Sequence, residues 1–145
     1  MSQGPAILDV RLYTATATAT AGREGRVKSD DGILDVALVL PKAMGGSGAP
    51  GTNPEQLFAA GYAACFGSGL GHVARAQKIT TGPVSITVSV SIGPIEKGFG
   101  LAVSLIATIP ELPRDQAEAL LRATHEVCPY SNATRGNVAV DIQLA

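Results

Sequence analysis

Tryptophan is absent from this chain, and Phe, Tyr and Trp together make up only 4% of its 145 residues. Large rings bury the most area per residue, so the core must come from aliphatic and small side chains. The 17 glycines point the same way, toward backbones that approach closely. Charge is thin as well: 16% of residues are charged, the net charge is −1, and the 11 Lys and Arg are scattered without runs. Binding to a phosphate backbone needs a clustered positive surface, so nucleic acid is excluded as a partner. The opening "MSQGPAILDVRLY" lacks a basic stretch followed by an apolar run, and no signal peptide is expected. The uncharged stretch Gln56 to Ala74 is interrupted by Gly61, Gly67, Gly69 and Gly71 and carries Ser68 and His72. It is too polar and too rich in glycine for a bilayer span, so membrane insertion is not expected. The chain reads as a cytoplasmic protein.

Cysteine is equally sparse, with 2 in the whole chain. Cys65 lies in "LFAAGYAACFGSGLGH", which is apolar and small, and Cys128 lies in "HEVCPYSNATRGN", directly before Pro129. Cytoplasmic thiols are kept reduced. The two cysteines are therefore inert fillers or working redox groups, and a permanent staple is the least expected option.

A length of 145 residues suits one domain, here residues 1–145. "ILDVRLYTATATAT" alternates residue types and predicts a strand, followed by turns at "AGREG" and "SDDG". "ILDVALVLP" predicts a second strand with Leu34, Val36, Leu38 and Leu40 on one face, ended by Pro41. The Gly/Pro loop of residues 41–52 leads to a helix start, where Asn53 is a good cap, Pro54 suits the first helical position, and Glu55 and Gln56 complement the amide-rich end. The helix should run to about Lys78. Each internal glycine costs roughly 1 kcal/mol against alanine, so this helix needs a close partner, another helix or a sheet. "VSITVSVSIG" predicts a strand with Val84, Ile86, Val88, Val90 and Ile92 on one face, and "LAVSLIATI" its hairpin partner. Residues 113–127 predict an amphipathic helix with Ala117, Leu120, Leu121, Thr124 and Cys128 along its apolar stripe. "NVAVDIQLA" predicts a closing strand, and the whole reads as antiparallel-rich α+β.

Two Cys and two His invite a zinc reading, but Cys65 and His72 stand roughly 10 Å apart along a helix and converge poorly on one ion. Zinc is rejected on that ground. His72 reads as a helix-surface or capping residue, and His125 as a favourable charge near a helix C-terminus. Asn132 and Arg135 read as turn chemistry in "SNATRGN". A buried free cysteine is ordinarily a small hydrophobe, and burial raises a thiol's pKa. A reactive Cys65 therefore needs a cation from elsewhere, which periodicity does not locate. Cys128 either packs in its stripe or sits where the chain can bend to bring one sulfur to another.

"GTNPEQLFAAGYAACF" followed by "VCPYSNATRGN", with "TATAGREG" and the "GGSGAPG" loop, resembles the organic hydroperoxide resistance (Ohr) proteins, a branch of the OsmC/Ohr superfamily. The resemblance covers essentially the whole chain, and its cysteine motifs are long and specific. It implies an OsmC/Ohr-like α+β fold: antiparallel sheets, a long buried central helix, a second amphipathic helix, and an intertwined homodimer. It implies a thiol-dependent peroxidase that reduces organic hydroperoxides, including those of lipids, to alcohols. Cys65 would be the peroxidatic cysteine and Cys128 the resolving one, joined in a Cys65–Cys128 disulfide after turnover, with Arg23 and Glu55 completing the site. Regeneration would come from a dithiol reductant, a lipoylated protein, and no bound cofactor or metal is needed.

Under that resemblance Arg23 supplies the missing cation and Glu55 aims its guanidinium. Phe58, Phe66, Phe99 and Tyr130 are candidate walls of an apolar mouth for the substrate, with core packing the alternative for each. Glu55 and Cys65 stand roughly 15 Å apart along one helix and nearly a quarter turn off in facing. A single Arg bridging both within one chain is awkward, which suggests that Glu55, or Arg23 with it, reaches Cys65 across a dimer interface. The rival reading is a non-catalytic binding protein of the same fold for an apolar small molecule, with both thiols as packing residues.

Overall fold

The computed structural model describes residues 4–145 and divides into two compact units, Met1–Pro54 and Glu55–Ala145. The first unit is a small antiparallel sheet of β1 (Ala17–Thr20), β2 (Arg26–Ser29) and β3 (Asp35–Ala37), in that order. Thr20 pairs with Arg26 and Arg26 with Ala37. A short 3-10 turn, Gly22–Glu24, joins β1 to β2, entered through Ala21 and Gly22 at positive φ. Arg23 is carried on this turn.

The strand expected from residue 7 is corrected here: only its last four residues form β1, and residues 4–16 form none. Backbone groups need ladder partners, and β2 offers only Arg26–Ser29 to pair with. The second expected strand is shortened likewise. Past Ala37 the chain leaves β2, and Leu38 bridges to Thr52, so the Thr52 backbone closes the base of the glycine-rich loop.

The second unit opens with α1 (Pro54–Ala76), which starts at the proline the sequence marks and stops close to the expected end. The hairpin β4 (Ser85–Pro94) and β5 (Phe99–Thr108) follows, paired antiparallel from Ser85–Thr108 to Pro94–Phe99. Its turn is closed by Ile95 N–H donating to the Gly98 carbonyl, with Gly98 at φ 79. Next come α2 (Arg114–Val127), a short α3 (Pro129–Thr134), and β6 (Ala139–Leu144). β6 lies beside β5 in parallel register, Ala102 to Ala139 through Ala107 to Leu144. This parallel pair departs from the antiparallel pairing of the other named strands. A parallel neighbour needs a crossover of a dozen or more residues, and α2 with α3 supplies it.

Tyr62, Phe66, Leu70, Val73 and Ala74 of α1 pack with Val103, Leu105 and Ala107 of β5 and with Ala117, Leu120 and Leu121 of α2. Fully burying an aliphatic or aromatic side chain contributes about 1.5–3 kcal/mol, so this seam holds the unit. The stripe expected on α2 is the face that is buried, down to Cys128. By length and hydropathy α1 matches a bilayer-crossing helix, but its largest apolar side chains face this core. Its other face shows Ala60, Ala64, Ser68 and His72 to solvent.

Candidate active site

Cys65 sits midway along α1 with a glycine one helical turn to either side, Gly61 and Gly69. Those glycines decide how closely the chain passes. A Cβ on Gly69 would meet Thr124 Cγ2 at 3.5 Å and the Cα and Cβ of Cys128 at 3.9 Å. A Cβ on Gly61 would meet the Tyr130 hydroxyl oxygen at 2.7 Å. Here is the close partner that a glycine-rich helix requires: the joint between α2 and α3 lies along the Gly61–Cys65–Gly69 stripe.

Cys128 is that joint. Its N–H donates to the Thr124 carbonyl and ends α2, while its own carbonyl accepts from Asn132 N–H and starts α3, each at 2.9 Å. Pro129 disfavours a helical conformation in the residue before it, and Cys128 is extended at φ −64 and ψ 124. The break therefore falls on Cys128 and turns its wholly buried side chain toward α1. The sulfurs of Cys128 and Cys65 lie 3.8 Å apart as free thiols, Cys65 half-buried. A disulfide needs about 2.05 Å, so closure asks for a small approach of the two sulfurs. Burial pushes the Cys65 thiol above its ordinary value; a hydrogen bond from the Tyr130 backbone N–H works the other way, and Cys128 adds to the rise.

Sequence reasoning treated "SNATRGN" as a turn and missed α3. Within it, Ser131 is wholly buried and shares a 2.7 Å hydroxyl–hydroxyl hydrogen bond with wholly buried Tyr62. Tyr62 was missed as well; its only sequence signal is a single large polar ring among small residues on the Cys65 helix. Arg135 clasps the same joint from outside, donating to the His125 carbonyl and, at 2.7 Å, to Asn132 Oδ1.

Of the candidate wall residues, Phe58 and Tyr130 come together with ring centroids 6.0 Å apart, and each contacts Tyr62, at 6.4 and 5.7 Å. Phe66 is fully buried and tilts against Tyr62 at 6.4 Å. Phe99 stands 72% exposed at the start of β5 and makes no ring contact among the described residues. Glu55 lies in the first turn of α1, and Arg23, half-buried, lies on its turn in the first unit.

An α+β fold that holds two free thiols in contact, one half-exposed and one buried at a helix joint, defines a two-cysteine redox protein. A family model described as OsmC-like protein matches residues 45–143. An organic hydroperoxide resistance protein of Xanthomonas axonopodis pv. citri is 53% identical, covering 92% of this chain and 95% of the relative. A crystal structure of an organic hydroperoxide resistance protein from Legionella pneumophila is similar at TM-score 0.90 and 52% identity, covering 94% of this chain and 99% of that one. That of OhrB from Bacillus subtilis is similar at TM-score 0.86 and 50% identity, covering 93% and 100%. The chain belongs to the OsmC-like family, within its organic hydroperoxide resistance branch.

Proposed function

We propose that this protein reduces organic hydroperoxides through Cys65 and Cys128, and the observation that carries the reading is the 3.8 Å separation of their sulfurs. The Cys65 thiolate attacks the distal oxygen of R–O–O–H, the O–O bond breaks, and the alkoxide leaves as the alcohol after taking up a proton. Cys65 remains as a sulfenic acid. Cys128 attacks that sulfur, water departs, and the disulfide forms before further oxidation. The half-exposed thiol meets substrate, while the buried thiol is placed to meet only its partner sulfur.

Burial alone works against the thiolate. The Tyr130 backbone N–H offsets part of that, and Arg23, oriented by Glu55, supplies the cation that the nucleophile needs. Phe58, Phe66, Phe99 and Tyr130 are assigned to the apolar mouth that favours alkyl, aryl and lipid hydroperoxides; Phe58 and Tyr130, already in contact, are its centre. A dithiol returns the disulfide to thiols by exchange, and a lipoylated protein is the carrier of that chemistry assigned here. Such a cycle suits the reducing cytoplasm.

The working unit is an intertwined homodimer, with Glu55, or Arg23 with it, reaching Cys65 of the other subunit. Two features support a second copy: the exposed small-residue face of α1, and the apolar side chains of the first segment, where Leu12 is 94% and Tyr13 82% exposed. The deciding experiment counts free thiols on reduced protein after one equivalent of cumene hydroperoxide, with hydrogen peroxide in parallel. Loss of both thiols to one intramolecular disulfide, faster with the organic peroxide, is expected. Survival of both thiols returns the chain to the binding-protein reading.

A further inference from the structure

The two sulfurs are flanked symmetrically by a bond that the reaction itself does not use. Tyr62 lies almost one turn before Cys65 on α1, and Ser131 almost one turn after Cys128 on α3. Their hydroxyls meet at 2.7 Å, and both residues are 0% exposed. Tyr62 belongs to the buried apolar cluster that also holds Phe66, Leu70 and Cys128. A Phe and an Ala would fill the same space with no polar group to satisfy. A buried hydroxyl pair in an apolar core fixes one arrangement, because any shift that parts the two leaves both unsatisfied. The arrangement fixed here is the position of α3 against α1. Cys128 is the N-cap of α3, so that position sets where its sulfur stands.

We propose that the Tyr62–Ser131 hydroxyl pair is a positioning latch, holding Cys128 against Cys65 so that the oxidised sulfur closes to a disulfide rather than being oxidised again. This rests on the two-cysteine reading above. Two reactions compete for the Cys65 sulfenic acid. In the first, Cys128 thiol attacks it, an S–S bond forms, the S–O bond breaks, and water carries away the oxygen with both protons. In the second, another hydroperoxide molecule transfers its distal oxygen to the sulfur, giving sulfinic acid and a second alcohol. The first is unimolecular and depends on where Cys128 stands; the second depends on hydroperoxide concentration alone. A loosened latch lowers only the first. Neither hydroxyl touches the reacting atoms, so Tyr62 and Ser131 are positioning residues.

The test uses the full chain, cumene hydroperoxide in rising excess, and mass spectrometry to count disulfide against Cys65 sulfinic acid. It compares wild type, Tyr62→Phe, Ser131→Ala and the double variant, with Tm and the rate of the first oxidation recorded for each. Each single variant leaves a buried hydroxyl without its partner and should melt lower. The double variant removes both hydroxyls and should recover much of that Tm. The hydroperoxide excess that drives half of Cys65 to sulfinic acid should fall about tenfold in Tyr62→Phe. It should stay low in the double variant despite the recovered Tm, with the first oxidation unchanged. A double variant that partitions like wild type overturns the latch, since the effect in the singles is then only the cost of an orphaned hydroxyl. Tyr62→Phe changes no ring atom, and should Ser131→Ala fail to fold, a wild-type partition in Tyr62→Phe overturns the latch. Failure of the underlying reading is visible separately: wild type then forms no Cys65–Cys128 disulfide at any excess.

Discussion

A methyl group on Gly61 would stand 2.7 Å from the hydroxyl oxygen of Tyr130, closer than real side chains approach. Glycine at this position lets Tyr130 lie across α1 one turn before Cys65. Gly61→Ala sets two opposed effects against each other. Alanine gains about 1 kcal/mol of helix propensity, while the displaced Tyr130 ring loses contacts with Phe58 and Tyr62 of about 0.5–1.5 kcal/mol each. Tyr130 is 38% exposed and can swing outward, so the folded state survives with little net change in Tm. The mouth does not. KM for cumene hydroperoxide should rise severalfold while that for tert-butyl hydroperoxide moves less. An unchanged ratio of the two would remove Tyr130 from the substrate wall.

Cys128→Ala separates the two halves of the cycle. Alanine suits this wholly buried apolar site and costs about 1–2 kcal/mol for the lost sulfur contacts. The first oxidation of Cys65 should proceed at the wild-type rate, and the product should be a sulfenic acid that passes to sulfinic acid under excess hydroperoxide. Turnover with a dithiol should fall by more than tenfold. Cys65→Ser should consume no hydroperoxide at all. Mass spectra of both variants after one equivalent decide the assignment, and reversed behaviour would exchange the roles of the two cysteines.

Arg23→Ala tests the source of the cation. Burial holds the Cys65 thiol above its ordinary value, and only the thiolate reacts, so the rate of alkylation by iodoacetamide rises with pH through the Cys65 pKa. If Arg23 is that cation, losing its guanidinium moves the profile to higher pH, and a shift of one unit slows the reaction at neutral pH about tenfold. The variant should catch up with wild type at alkaline pH, which a folding defect would not reproduce. Superimposed profiles would mean that some other group activates Cys65.

The sequence already located much of the frame around the two cysteines, and its silences have physical causes. Pro54 marked the start of α1, the alternation from Val84 to Ile92 marked a strand, and Pro129 marked the break at Cys128, because each is a local backbone constraint. Strand extent was less legible: Ile7 to Thr16 alternate well enough, but a strand exists only where a partner runs alongside, and β2 is short. The parallel docking of β6 was hidden for the same reason, since its alternation is the same for either direction. α3 was lost because Ser131 and Asn132 favour turns by composition, and the proline before them reads as a stop although it is also a good first helical residue. The Tyr62–Ser131 bond and the sulfur contact join residues far apart in the chain, and no window of sequence contains both ends.

The joint that carries Cys128 should also respond to acid. His125, one turn before Cys128, has its Nδ1 buried without a hydrogen-bond partner among the described residues. Its pKa lies below the ordinary value of 6.5, first because burial penalises the charged ring, then because Arg135 is beside it; Glu126 pulls weakly the other way. With the folded pKa depressed, the unfolded chain binds this proton more readily. Stability is therefore complete above the unfolded value and declines as pH falls through 6.5 and below. Tm measured between about pH 8 and pH 5 should fall, and His125→Gln, which cannot titrate, should flatten the lower part of that curve. Arg135→Ala removes the second cause of the depression, so it should make the slope shallower. It also releases the clasp on the His125 carbonyl and Asn132, so its Tm should be lower at every pH. An acid slope identical in His125→Gln and wild type would assign the decline to carboxylates instead. A shallower slope in both variants would assign the decline to His125 at the α2–α3 joint that holds Cys128.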